Sequence, residues 1–423
     1  MTSDYEVSVV IPTHNRRDLL LKVLAALNRQ DHPCNSMEVI VVADDCQDGS
    51  AEAVEGFAKE ASYKLKVCSH AARSAAISRN LGARLASGEL LIFLDDDILA
   101  IPGFIRAHVA ARRSWRVVIG YSKPVLPEKP TFWGYNARLW WEDAFRLMGS
   151  RGYRFSYRDL FSGNLSLPAN VFWEAGGFDE SIKGRLEDYE LGYRLIELGV
   201  EFHFEPEALG YHQERSSQRL WLSRVRQEGT ADAQIAERHP ELRGSIFSSA
   251  IDTPDQWGRM RNFFRSLAFH HKRFGGVLSR MMTLMADGCE HLRLRGPWFH
   301  LNGALREYWY WRGVAEALGN WEAFTAWIQE ASLPRPVASD APVLDLFDLP
   351  PESELSLLFE AAEEKGLRLL WKGISLFTVP PCPGAEPLRL AHLWKMLWDI
   401  CDREFVPVVG MDWAMQAEGG FSR

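Results

Sequence analysis

The chain reads as a mixed α/β protein built on a mostly parallel, doubly wound sheet, followed by a helical region and a small C-terminal module. Three observations carry this reading. From the N-terminus to about residue 100, apolar runs alternate with amphipathic segments at the spacing of strand–helix–strand units. Successive runs end in polar residues, Thr13, Asp45, Asp95 and Asp97. That is where open parallel sheets bind ligands, at the carboxyl ends of their strands. Much later, Ser332-Leu-Pro-Arg-Pro-Val-Ala-Ser-Asp-Ala-Pro342 has the composition of a linker and sets off the last part of the chain.

Taken in order, Val7-Ser-Val-Val-Ile11 is a buried strand ended by Pro12-Thr-His-Asn15. A helix over 16–29 follows, with Leu20, Val23, Leu24 and Leu27 on one face. Met37 to Ala43 is a second strand and ends in Asp44-Asp45; Asp48-Gly-Ser50 opens a helix over 51–61. Lys64 to Cys68 is a shorter strand, and Ser74 to Ala86 a helix stopped by Ser87-Gly88. Leu90-Leu-Ile-Phe-Leu94 is a strand buried on both faces. Beyond Pro102 the spacing predicts a helix over 104–113, a strand over 116–121 and an aromatic helix over 132–148. A short strand over 161–167, a helix from Pro168 to Gly176-Gly177, and a helix with Leu191, Leu195 and Leu198 aligned and capped by Gly199 come next. Glu201 to Phe204 and Ala208 to His212 read as two strands.

The candidate chemistry lies where carboxylates gather. Asp95, Asp96 and Asp97 follow a buried strand, and like charges side by side repel unless a cation sits on them. The cluster is therefore a candidate Mg2+ or Mn2+ site, the alternative being an acidic loop that stays wet. His212 ends a strand in the same domain and is a candidate further ligand. Glu187 and Asp188 open a helix, where they either satisfy its dipole or hold a catalytic base at a defined position. No G-x-G-x-x-G follows the first strand and no P-loop occurs, so a bound nucleotide's phosphates would need a cation or arginines; Arg73 and Arg79 are the candidates, against a reading as solvated helix charges.

The net charge of −8 gives no global argument for nucleic-acid binding. Six scattered cysteines without a C-x-x-C pair fit free thiols in a reducing cytosol. The first residues lack a signal-peptide pattern, and no charge-free apolar run is long enough to span a bilayer, so a cytoplasmic location is expected.

Val9-Val-Ile-Pro-Thr-His-Asn15, Val39-Ile-Val-Val-Ala-Asp-Asp45, Ala83 to Phe93 running into Asp95-Asp-Asp97, Gly163-Asn-Leu-Ser-Leu167, and Gly176-Gly-Phe-Asp-Glu180 leading into Glu187-Asp188 together resemble the family 2 glycosyltransferases of the GT-A fold. They stand in that family's order over about residues 5 to 215. The resemblance implies a GT-A-type nucleotide-sugar glycosyltransferase domain over 1–250, of the non-processive bacterial kind. Pro12, Thr13, Asn15 and Asp45 would line the nucleotide base, and Arg73 or Arg79 would contact base or phosphate. Asp95 and Asp97 look like the D-x-D motif that holds a divalent cation on the diphosphate, with Asp96 sharing the metal or the nucleotide. Asp188, with Glu187, looks like the catalytic base of the E-D pair. His212 falls where some members place another metal ligand, and Gly163-Asn164 would lie under donor sugar or acceptor.

The implied reaction moves one hexosyl or deoxyhexosyl group, with inversion, from a UDP- or dTDP-type sugar to a glycan, lipid-linked or other acceptor in surface-polysaccharide or glycoconjugate synthesis. Cys46-Gln47 after the Asp44-Asp45 pair departs from the commoner small residues, and the Q-x-x-R-W signature of processive synthases is missing. A nucleotidyltransferase would open with a glycine-rich basic loop after the first strand. A glycosidase would not need an aspartate cluster of metal-site type. A catalytically inactive nucleotide-sugar-binding scaffold of the same fold is the non-enzyme alternative.

The stretch 251–331 is an aromatic, basic helical extension. Its tryptophans and arginines over 257–319 suit either packing on the catalytic domain or peripheral contact with an anionic membrane. Residues 340–423 read as a small α/β module, with a helix over 355–365, a hairpin across Lys372-Gly373 and an aromatic helix over 388–405. Trp133, Trp140 and Trp141 are candidates for an acceptor wall, or else core.

Overall fold

The computed structural model describes residues 5–126, 130–213, 217–247, 256–331 and 337–404. Residues 1–4, linker positions 332–336 and Phe405, at the end of the expected last helix, lie outside them. The chain forms two compact units, residues 1–146 with 156–332 and residues 147–155 with 333–423. The helical extension thus clusters with the N-terminal half.

The first unit is built on β1 (Tyr5–Thr13), β2 (Met37–Asp44), β3 (Lys64–His70), β4 (Gly88–Leu94), β5 (Ile98–Ala100), β6 (Arg116–Pro124), β7 (Asn164–Pro168) and β8 (Glu201–His212). They form one sheet in the order β3-β2-β1-β4-β7-β6-β8-β5. The pairs β3–β2, β2–β1, β1–β4 and β6–β8 are parallel; β4–β7, β7–β6 and β5–β8 are antiparallel. The expected mostly parallel sheet is present. Because β7 runs against β4, with Leu94 opposite Asn164, the start of β7 lies at the same edge as the carboxyl end of β4.

The helices of this unit are α1 (Arg17–Leu27), α2 (Ser50–Phe57), α3 (Ala75–Leu85), α4 (Phe104–Ala111), α5 (Phe132–Met148, whose end passes into the second unit), α6 (Ala169–Glu174), α7 (Glu187–Glu197), α8 (Gln218–Arg238), α9 (Arg243–Ile246), α10 (Gln256–His270), α11 (Lys272–His291), α12 (Arg295–Leu318) and α13 (Trp321–Ala331). Side chains alternate across the strands, so one sheet face packs Val7, Val9 and Ile11 against Leu20, Val23, Leu24 and Leu27 of α1. Each such fully buried aliphatic side chain contributes about 1.5–3 kcal/mol. On the other face Phe93 packs on Phe172 and Phe178. There α3 comes so close that a Cβ on Gly82 would stand 2.3 Å from Val10 Cγ1.

The structure differs from the sequence reading in several places. The segments Glu201–Phe204 and Ala208–His212 are one strand, whose pairing with β6 slips between Gly120/Glu205 and Tyr121/Leu209. That bulge leaves Glu205-Pro206-Glu207 in the middle of the strand, which is why the apolar pattern broke there. The three-residue β5 was not anticipated, being too short for a period-2 signal. Nor was β9. The long α8 was also missed, because its buried face is made largely of small residues, Gly229, Ala231, Ala233 and Ala236, under a polar exterior.

Those small residues let α8 and α12 touch backbone to backbone. A Cβ on Gly229 would stand 2.1 Å from Tyr310 O, and one on Gly313 1.9 Å from Arg226 O. Thr230 Oγ1 donates to Gly313 O at 3.2 Å across the same crossing.

The second unit holds β9 (Val343–Asp345), β10 (Leu367–Trp371) and β11 (Ile374–Val379) in the order β11-β10-β9, with α14 (Glu352–Lys365) and α15 (Leu390–Glu404). The expected hairpin is present, with Lys372 and Gly373 both at positive φ in its turn. Leu344, Leu367, Leu369 and Leu393 form its core.

Gly313→Val is expected to lower stability by about 2–3 kcal/mol in urea unfolding, since the α8–α12 backbones cannot part without losing their packing. A loss under about 0.5 kcal/mol, the range of an ordinary surface change, would contradict this contact.

Candidate active site

The crevice at the carboxyl edge of the sheet is built by the loops after β1, β2 and β4, the start of β7, the end of β8 and the N-terminus of α7. Its backbone is strained in a local way. Among the described residues, Asn15, Asp45, Arg73 and Leu186 are non-glycine residues at positive φ, and each lies in one of these loops or at the entry to α3 or α7. For a bulky residue such as Leu186 this conformation costs about 1–2 kcal/mol. It holds Glu187 and Asp188 at a fixed entry to α7.

The paired aspartates after β2 divide their roles. Asp44 is buried, and its carboxylate accepts from Arg73 N and Ser74 N, both at 2.7 Å, at the N-terminus of α3. Asp45 turns outward and pairs with the exposed Arg73. The Arg73 hydrogen bond holds its carboxyl below the usual range. Asn15 accepts from Gln47 N at 2.7 Å and Asp48 accepts from Arg17 N at 2.9 Å, so the first two loops are tied together. Asn15, Asp45 and Arg73 therefore share one rim, with Pro12 at the end of β1 beside it.

The triple aspartate is sorted by three different partners. Asp96 is buried and accepts from Thr13 Oγ1 at 2.7 Å and Arg16 Nη1 at 2.8 Å. Burial pushes its carboxyl up to about 6 although Arg16 pulls it down. Thr13 and Asp96, both expected at the nucleotide, are hydrogen-bonded to each other and buried. Asp97 Oδ2 accepts from Arg16 Nη1 at 2.6 Å. Its Oδ1 is buried without a hydrogen bond of normal length, with His212 Nε2 at 3.5 Å. Burial pushes Asp97 up, but His212 and Arg16 outweigh it and hold it at about 2. Asp95 is the most exposed of the three and pairs with Arg79.

Arg79, expected at a base or phosphate, is buried, its side chain only 6% exposed. Nη2 donates to Asp95 at 2.8 Å and Nη1 to Glu187 at 2.7 Å. Burial would depress its basicity, but Asp95 and Glu187, with Asp188 beyond, outweigh burial and keep the cation charged. Asp188 accepts from Ser162 Oγ at 3.1 Å and from Tyr189 N at 3.0 Å. Burial and then Glu187 push it up to about 6, against the pull of Arg79.

Gly163 lies against Asp95: a Cβ there would stand 2.6 Å from Asp95 Oδ2. Asn164, expected under donor sugar or acceptor, is buried. Its amide donates to Ala208 O and its Oδ1 lies 2.9 Å from His108 Nε2. His108 is buried, which pushes it down to about 4, so it is neutral and supports the floor of the sheet. Of the tryptophans, Trp133 is buried against Trp221, Trp141 packs edge-on to His212, and Trp140 is exposed beside Phe161.

Arg16, which joins Asp96 to Asp97, and Ser162, which holds Asp188, were missed in the sequence. Arg16 stands one residue past the first strand's polar tail and gave no signal beyond its charge. With Asn15, Arg17, Asp48, Asp97 and Arg224, Arg16 lines a cavity of about 470 Å³. Among the described residues no three His, Cys, Asp or Glu side chains form a ready-made metal cage. Asp97 and His212 nonetheless supply an oxygen and an imidazole side by side, with Asp95 nearby. That donor set fits a cation whose other ligands are phosphate oxygens.

Residues 8–176 match the sequence model of the family described as Glycosyl transferase family 2. The validoxylamine A glucosyltransferase of Streptomyces hygroscopicus subsp. jinggangensis (strain 5008) is 31% identical over 266 residues, covering 57% of this chain and 63% of that protein. The pre-mycofactocin glycosyltransferase of Mycobacterium tuberculosis (strain CDC 1551 / Oshkosh) is 28% identical over 253 residues, covering 56% of this chain and 49% of that protein. The chain thus spans about half to two-thirds of the length of these relatives. In fold it is similar to a mannosyltransferase from Pyrobaculum calidifontis solved with GDP-Man and Mn2+, at a TM-score of 0.50 and 18% identity over 75% of this chain and 88% of that one. Residues 8–176 thus match the Glycosyl transferase family 2 model, within a fold similar to that of the Pyrobaculum mannosyltransferase.

Proposed function

We propose that the chain is a metal-dependent, inverting glycosyltransferase that moves one sugar from a nucleotide diphosphate sugar of UDP or dTDP type to an acceptor hydroxyl. The observation that carries this is the Asp95–Arg79–Glu187 bridge. It ties the aspartates suited to a diphosphate to the carboxylate pair suited to proton transfer, within one crevice. The glycosyltransferases similar in sequence support sugar transfer as the reaction class.

In this reading the nucleotide lies across the rim of Asn15, Asp45 and Arg73. Asp45 accepts from the imide N–H of a uracil or thymine base. The diphosphate enters the cavity beside Arg16 and Arg17, whose charges offset its own. Mg2+ or Mn2+ would be held by Asp95, Asp97 and His212, and when bound supplies positive charge against the leaving diphosphate oxygen. Asp188 takes the proton of the acceptor hydroxyl as the hydroxyl oxygen attacks the anomeric carbon from the face opposite the diphosphate. Ser162 and the Tyr189 N–H hold that carboxylate in place. The exposed Trp140 ring offers the acceptor a flat apolar surface.

Isothermal titration of UDP and dTDP, with and without Mn2+, is expected to show binding of one nucleotide that requires the metal and weakens at least about tenfold in Asp97→Ala, as loss of an ion ligand would. Equal binding in the wild type and the variant would remove Asp97 from that role. Asp188→Asn is expected to lower kcat about 10²- to 10⁴-fold while nucleotide affinity stays within about threefold. Because Asp188 must be ionised to accept a proton, wild-type kcat/KM should fall as pH drops through about 6 and level off above it. A flat profile between roughly pH 5 and 8 would exclude a base with this pKa. NMR of the product should show the anomeric configuration opposite to the donor's, and retention would rule out the single displacement.

A further inference from the structure

The helical region leaves one face uncovered. In α11, Phe274, Val277, Met281, Leu284 and Met285 recur at intervals of three and four and therefore share a side of the helix. All five are exposed, Phe274 at 61%, Met281 at 57% and Leu284 at 66%. The opposite side, Gly275, Ser279, Met282 and Ala286, is buried. It packs closely on α12, where a Cβ on Gly275 would stand 2.4 Å from the Tyr308 ring. The apolar stripe continues into the turn between α11 and α12, where every residue from His291 to Pro297 is exposed, Leu292 at 67%. Phe299 extends it one turn into α12. Isolated exposed hydrophobics are normal, but a contiguous stripe of this length marks an interaction surface.

The charge around the stripe selects its partner. Lys272, Arg273, Arg280, Arg293 and Arg295 border it and are exposed. The one exposed carboxylate on α11, Asp287, is already paired with Arg219 at 3.1 Å. Two copies meeting through this face would bring their basic borders together, which costs energy. A surface that is apolar inside and anionic outside complements both features at once. No helix among the described residues is long and apolar enough to cross a membrane. We propose that the exposed face of α11 and the α11–α12 turn rest on an anionic lipid surface, the apolar stripe entering the headgroup–acyl boundary and the arginines meeting the lipid phosphates. This inference does not depend on the reaction proposed above.

Flotation of the full chain with phosphatidylcholine vesicles, and with vesicles carrying roughly one-third phosphatidylglycerol, tests it. The protein is expected to float with the anionic vesicles at least about tenfold more than with the neutral ones, and less as salt rises. Met281→Glu/Leu284→Glu is expected to abolish flotation while far-UV circular dichroism and thermal midpoint are retained, both side chains being exposed. Arg293→Glu/Arg295→Glu should lose the anionic preference alone. Protein that stays in solution with anionic vesicles would overturn the proposal. So would sedimentation showing a dimer that M281E/L284E dissolves, because the face would then belong to a second copy.

Discussion

Crowded carboxylates at one edge of a sheet are the constraint on which the rest of this structure depends. Two like charges about 5 Å apart repel by about 3 kcal/mol at the effective dielectric of a protein surface. Asp95, Asp96, Asp97, Glu187 and Asp188 gather there, and two arginines make the gathering tolerable. Arg16 spans Asp96 and Asp97, and Arg79 spans Asp95 and Glu187. Removing either cation would leave carboxylates buried without compensation, which costs far more than the ion pair contributes when intact. Burial pushes Asp96 and Asp188 up to about 6 against the pull of Arg16 and Arg79, whereas His212 and Arg16 outweigh burial at Asp97 and keep it ionised.

The sheet topology explains how residues distant in sequence reach this edge. Parallel β1, β2 and β4 deliver Thr13, Asp44 and the aspartate triplet. Gly163, just before antiparallel β7, lies beneath Asp95, where a Cβ would stand 2.6 Å from Oδ2 and force that carboxylate to shift. The N-terminus of α7, entered through Leu186 in the left-handed region, supplies the carboxylate pair from the other side. The loops after β1 and β2 and the entries to α3 and α7 each carry a residue at positive φ, and hydrogen bonds hold Asn15 through Gln47 and Asp45 through Arg73. Strain held in this manner keeps polar groups pointed into a crevice they would leave in an isolated loop.

The helical region obeys a different economy. Small residues on α8 and α12 allow backbone contact, and aromatic rings fill the space beside them, with Trp311 against Phe247 and Phe324. The tryptophans of this region are thus largely spent on internal packing. The apolar residues left outside are instead mostly the aliphatic and methionine side chains of α11 with Phe274, together with Phe263, Leu292, Leu294 and Phe299.

The sequence by itself determined the alternating strands and helices of the first hundred residues, the mostly parallel sheet and the polar ends of its strands. These follow from local periodicity and from where charges can tolerate burial, and both are written in consecutive residues. It also marked Asp95 and Asp97, carboxylates at the end of an apolar run, Asp188 at the opening of a helix, and His212 at the end of a strand. Only the tertiary structure decided how the aspartates divide their roles. Asp44 anchors α3 while Asp45 faces out, and Asp96 turns inward to Thr13, because the direction of a side chain depends on its partners in space. Only the tertiary structure, too, shows that Arg79 bridges Asp95 and Glu187 and that Asn164 bonds Ala208 and His108. Arg16 gave no signal at all, since its importance comes from two aspartates some eighty residues away along the chain.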